Sequence, residues 1–225
     1  MQENRSKIAV VAALEREVRP LIKGWAASEK QHEGRRFRFF EQDAVVVVCA
    51  GIGPEAARRA AEAVIHFCAP DTIYSAGYAG ALDSKLRVGD ILRPQRVVNA
   101  SDGSSVNVER GSGVLVSFGA VAGAEQKRKL RESFGAQAVD MEAAAVARAA
   151  EARGVRFEAI KAISDEADFD FPEMGRFVDA SGAFSEWKFG LFAAIRPWLW
   201  AGVVRMVQNS ARASRALCGA LGEIG

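Results

Sequence analysis

Apolar residues in this 225-residue chain fall into short β-branched runs, each followed by a stretch in which they recur every three or four positions. The first such pair is "KIAVVAA" (7–13) and "LEREVRPLI" (14–22), which predict a strand and then an amphipathic helix. "RRFRFFEQ" and "DAVVVVCA" predict a hairpin turning at Gln42 and Asp43. "GIGPEAARRAAEAVIHF" opens on glycines, sets Pro54 in the first turn of a helix and continues at helical spacing. Further strands are predicted at 71–77, 88–98, 113–119, 135–141 and 156–164, with helices at 124–133 and 142–153. Several of these strands are apolar throughout, as strands covered on both faces are. The pattern predicts an α/β fold: a single-domain three-layer sandwich, its mixed, mostly parallel sheet carrying helices on both faces. Residues 173–225 read as a helical C-terminal tail of the same domain.

Composition narrows the function without changing this outline. Hydrophobic residues at 49% and charged residues at 26% are ordinary for a globular chain, and a net charge of +2 gives no reason to expect a nucleic-acid partner. Cys49, Cys68 and Cys218 are odd in number and far apart, with neither a disulfide framework nor a metal-ligand spacing, which suits a reducing cytoplasm. Glu15, Arg16 and Glu17 follow the first apolar run at once and no small-residue cleavage site appears, so that run is expected to be the first strand and not a leader. Only His32 and His66 are present, and no G-x-S-x-G elbow, P-loop, HExxH or full G-x-G-x-x-G occurs. Chemistry is left to carboxylates, with no metal and no cofactor expected.

The tail differs from the rest. From Trp187 to Gly222 there is no acidic residue, while Lys188, Arg196, Arg205, Arg212 and Arg215 are spread among Trp187, Phe189, Phe192, Trp198 and Trp200. Arg196 and Pro197 interrupt the apolar run, which excludes a membrane-spanning helix. Two uses stay open. A basic, tryptophan-bearing segment at 187–221 can lie on a membrane surface, and an aromatic stripe can pack on the core or on a second subunit.

Ligands of open α/β sheets bind beyond the carboxyl ends of strands. Residues just after the strands are Glu15 and Glu17, "AGIG" (50–53), "AGYAG" (76–80), Met141 with Glu142, and Ser164 with Asp165. Five strand ends are expected to share one edge. Each acid alone has a structural explanation as a helix cap or a dipole partner, and glycines after strands commonly form turns. Their convergence is what points to a site.

These segments resemble the nucleoside phosphorylase superfamily, and within it the methylthioadenosine/S-adenosylhomocysteine nucleosidases. The resemblance runs in order through "IAVVAALEREV", "CAGIGPEAA", "DTIYSAGYAGALDSKLRVGDIL", "AVDMEAAAVARAA" and "IKAISDEAD". It implies that Met141 packs on a ribose, Glu142 binds the ribose hydroxyls, Asp165 serves the purine at N7 and Glu17 is the base for an attacking water. Asp140 would be structural. The catalytic pair would be Glu17 and Asp165, and the nucleoside pocket would draw on Gly53, Ala76, Gly77, Tyr78, Phe118, Met141, Glu142 and Ser164. A protonated Asp165 makes the purine a better leaving group, while ionised Glu17 and Glu142 stabilise an oxocarbenium-like sugar.

The chain departs from that pattern in three places. Tyr78 stands where serine is frequent, Lys161 where arginine is usual, and the loop from about Asn99 to Gly113 is short. A short cap with a basic, tryptophan-rich tail is most similar to the hopanoid-associated phosphorylases, which implies adenine removal from adenosylhopane, a lipid-linked nucleoside. A homodimer is implied by the family. Phosphorolysis, with phosphate as co-substrate, and a non-catalytic membrane-surface protein that binds nucleosides or lipids are the competing readings. Acids in "AALEREV", in place of an arginine cluster with a phosphate loop, favour water.

Overall fold

The computed structural model describes residues 7–169 and 200–224. The first apolar run is β1 (Ile8–Ala12), followed by α1 (Glu15–Ile22). The predicted hairpin is β3 (Arg35–Gln42) and β4 (Val45–Cys49), and a further strand, β2 (Ala26–His32), borders it. β2 was not expected, because "AASEKQH" is largely exposed and carries no apolar run. Next come α2 (Pro54–Cys68) and β5 (Thr72–Ala81), the latter longer than predicted. The expected strand at 88–98 is two, β6 (Ile91–Leu92) and β7 (Arg96–Asn99), parted at Pro94, which has no N–H to give a ladder. β8 (Ser105–Asn107), β9 (Val114–Ser117), α3 (Ala124–Phe134), β10 (Ala138–Asp140), α4 (Ala143–Glu151) and β11 (Arg156–Asp165) follow. The last element is α5 (Trp200–Gly222).

β4, β1, β5 and β11 run parallel, as do β10, β9 and β7 among themselves, and the remaining pairings are antiparallel. Alternation of side chains assigns the faces. Ala9 and Val11 of β1 join a core with Ala57, Ala61 and Val64 of α2 and Val146 and Ala150 of α4. Val10 and Ala12 turn the other way, onto Val18 and Ile22 of α1 and Ala213, Leu217 and Leu221 of α5. On that second face Leu130 of α3 packs with Val116 and Val139. The result is the three-layer arrangement predicted.

β5 decides where a ligand can bind. Its lower half pairs with β1 in parallel, as far as Ala12 opposite Ala76. Its upper half, on the same edge, pairs with β10 antiparallel through Val139 opposite Gly80. The expectation of five ends sharing one edge is corrected here. β10 runs against β5, so its end faces the end of β1 across a gap beside residues 77–79.

The C-terminal half of α5 closes the second face. Ser214 Oγ donates to the Glu17 carbonyl at 3.0 Å, and Tyr78 Oη donates to the Ser210 carbonyl at 2.9 Å. This portion packs on the chain's own core. Residues 187–199, which carry most of the tail's aromatic groups, lie outside the described residues, as do 1–6 and 170–186. No helix among the described residues is long and apolar enough to cross a membrane.

Leu217 is fully buried in the seam between α1, α5 and the sheet. Leu217→Ala is expected to lower unfolding free energy by about 2–5 kcal/mol in urea titrations. A loss under about 1 kcal/mol would mean that α5 does not hold this face.

Candidate active site

The gap between β1 and β10 opens into a cavity of about 200 Å³. Glu17, Tyr78, Met141, Glu142, Ser164 and Asp165 line it, together with Arg16, Gly80 and Lys127. Four predicted residues stand outside its wall, for reasons set by the backbone. Ala76 points into the core under α1 and α5. Gly77 backs Glu17 so closely that a Cβ there would lie 3.1 Å from Oε2. Gly53 acts through its N–H, which donates to Glu142 Oε1 at 2.9 Å. Phe118 packs on the core beneath α3.

Glu17, Asp140 and Glu142 gather on one side of the cavity, the first two buried and the third half-buried. Removal from water pushes Glu17 up to about 7, the nearby Glu142 adds to this, and Lys161 opposes it. Glu142 rises to about 7 first through burial and then through Asp140, against the pull of Lys161 and of the Gly53 and Met141 amides. Both groups are therefore poised near neutrality, rather than firmly ionised as the sequence led us to expect. Asp140 belongs to the framework. It accepts from Ser117 Oγ at 2.5 Å and from the Ala143 N–H at 2.8 Å, and pairs with Lys161 Nζ at 2.8 Å.

Lys161 is only 1% exposed and also donates to Ser75 Oγ at 3.0 Å. Burial alone would lower its proton affinity, but Asp140, Glu142 and Glu17 together raise it. A lysine at the position where arginine was expected is thus the shared counter-ion of three carboxylates. Its compact head meets Asp140 and Ser75 without a guanidinium's fork.

On the opposite wall Asp165 is held at both oxygens. Ser164 Oγ lies 2.7 Å from Oδ1, and Lys127 Nζ forms an ion pair with Oδ2. Lys127 also donates to the Glu166 carbonyl at 2.7 Å. Sequence reasoning passed over Lys127, although a signal existed: with Leu130 and Phe134 it continues the inward stripe of α3. Among the described residues no group of three or more His, Cys, Asp or Glu side chains could hold a metal ion.

A mixed α/β sheet whose strand ends enclose an acid-lined cavity offers a pocket for a small polar molecule. A sequence profile of the Phosphorylase superfamily matches residues 7–117 and 106–187. The chain belongs to that superfamily and is an enzyme of the nucleosidase or nucleoside phosphorylase type. It is 27% identical over 199 residues to a 5'-methylthioadenosine/S-adenosylhomocysteine nucleosidase of Staphylococcus aureus (strain JH9), across 72% of this chain and 87% of the relative. The fold is similar to the nucleosidase of that type from Colwellia psychrerythraea 34H in complex with adenine, with a TM-score of 0.64, 24% identity and coverage of 72% and 84%. It is also similar to the native futalosine hydrolase of Helicobacter pylori, with a TM-score of 0.68, 20% identity and coverage of 97% and 98%.

Because Glu17 in the fold holds its proton more tightly than the ordinary 4.5, its share of stability is complete below about 4.5. That share is lost as pH rises through about 7. Glu17→Gln carries no such charge. Its melting temperature is expected to exceed that of the wild type at pH 8 and the difference to vanish by about pH 4.5, as read by calorimetry at both pH values.

Proposed function

We propose that the protein cleaves the N-glycosidic bond of a 5'-substituted adenosine with water and releases adenine. The observation that carries this reading is the placement of Glu17, Glu142 and Asp165 around one cavity. Breaking the bond leaves positive charge on the sugar and negative charge on the departing base. Glu142 and Met141, which sit together at the start of α4, would meet the ribose. Asp165 would meet the purine, and Glu17 would take a proton from the attacking water. The site holds more acid than Lys161 can neutralise, so a cationic sugar gains more from it than a neutral substrate does, and that difference accelerates the reaction.

The finer reading is adenosylhopane as substrate. None of residues 99–113 lines the cavity. That segment is drawn instead toward α4, where Asp102 pairs with Arg148 at 2.9 Å. The rim carries Leu14, Ile52 and Val121, the last of them 46% exposed. An apolar rim that residues 99–113 leave clear favours a large hydrocarbon 5' group over a small polar one.

Phosphorolysis is the second reading, favoured by one feature: Arg16 lines the cavity beside Glu17. The buried acids oppose it, since a phosphate dianion next to Glu17 and Glu142 would be repelled.

The purified protein is expected to release free adenine without phosphate, measured by chromatography with methylthioadenosine, S-adenosylhomocysteine and adenosylhopane in turn. Adenosylhopane should give the highest kcat/KM. Strict dependence on phosphate would establish the second reading instead. Glu17→Gln is expected to lower kcat by about 10²-fold or more, the usual worth of a general base. Wild-type kcat/KM should fall as pH drops through about 7, where Glu17 gains its proton.

A further inference from the structure

Lys127 makes three contacts at the purine end of the cavity: Asp165, the Glu166 carbonyl at 2.7 Å and the Phe169 carbonyl at 3.4 Å. Its side chain is 3% exposed, that of Asp165 27%. The backbone is shaped around the pair. A Cβ on Gly80 would lie 2.8 Å from Asp165 Oδ2 and 3.2 Å from Lys127 Cε, so even a methyl group would displace it. Asp165 is therefore met here as half of an ion pair with Lys127. An acid is nonetheless needed opposite a purine that leaves with an extra electron pair.

We propose that Lys127 stores the proton that Asp165 delivers to the leaving base. This inference rests on the nucleosidase reading above. A purine seated over Asp165 covers the exposed part of the carboxylate, and loss of water disfavours two separate charges relative to a neutral amine and acid. As the C1'–N9 bond breaks, its electron pair goes to the purine. A proton then passes from Lys127 Nζ to the Asp165 carboxylate and from that carboxyl to N7. Water adds its oxygen to C1' and its proton to Glu17. The products are neutral adenine, the free sugar, a neutral Lys127 and a protonated Glu17, and proton exchange with solvent resets the site. Lys127 is thus a positioning residue that acts through Asp165.

Other charges face the pair. Arg16 and Glu17 come from α1, and Asp140 and Glu142 from the junction of β10 and α4. Glu166 is itself paired with Arg205 of α5 at 3.5 Å, and Lys161 lies beyond Asp140. Glu17 sets the acidic limb of the pH profile, whereas the relay sets the basic one.

Two measurements test the proposal. Wild-type kcat/KM for adenine release is expected to rise through about 7 with Glu17. It should then stay level until above about pH 9, where ammonium groups begin to lose their proton. A decline that begins below about pH 8, in the range of a lone buried acid, would overturn the relay. Lys127→Arg keeps the cation and its hydrogen bonds but cannot release a proton. It is expected to melt within a few degrees of the wild type and to lose about 10²-fold in kcat with little change in KM. Wild-type kcat in this variant would overturn the proposal and leave Lys127 a clamp on residues 165–169. Should the variant not fold, the wild-type profile decides alone. Failure of the wild type to release adenine from any adenosine derivative would remove the nucleosidase reading together with the relay, whereas release with an unaffected Lys127→Arg removes only the relay.

Discussion

Three carboxylates share one buried ammonium at the centre of this molecule. Glu17, Asp140 and Glu142 converge on Lys161, and one lysine cannot neutralise three acids. Asp140 claims the direct contact, backed by a hydroxyl and a helix N–H. Burial first, and a neighbouring carboxylate second, hold Glu17 and Glu142 up to about 7 against the pull of Lys161. Burying such a cluster costs stability in a folded chain. For the cleavage proposed above, its value would lie in chemistry: a site short of positive charge binds a positively charged transition state better than a neutral ground state.

Such a cluster can exist only because the surrounding framework holds the acids against their repulsion. β1 and β10 bring their ends together beside β5 from opposite directions, and Gly77 leaves room for the Glu17 carboxylate. α5 then fastens α1 from behind through Ser214, while Cys218 Sγ lies 3.6 Å from the same Glu17 carbonyl. Tyr78 links the wall of the cavity to α5 through the Ser210 carbonyl. The C-terminal helix is in this way part of the support of the proposed base.

The two walls of the cavity solve the problem of buried charge differently. Beside Glu17 and Glu142 acid is in excess, and burial holds both carboxyl groups up to about 7. Elsewhere in the cavity Asp165 pairs with Lys127, and Gly80 is small enough to let them meet. In the proposed reaction these contrasting environments would serve opposite ends of one bond.

Much of this architecture was legible in the chain. Runs such as "KIAVVAA" and "DAVVVVCA" announce strands because continuous apolar side chains suit only a doubly covered sheet, and Pro54 after Gly53 marks a helix start because proline needs no N–H there. The acids after strands were legible too, since strand ends are where side chains can face a ligand. β2 was not, because an exposed edge strand needs no apolar pattern, and neither was the break at Pro94. Tertiary structure alone decided that β10 faces β1, since strand direction depends on pairing partners distant in the chain. It alone decided that Lys161 is a counter-ion and that Lys127 meets Asp165: the inward stripe of α3 can mark Lys127 as buried, but each lysine acquires its role from the charges that folding places beside it.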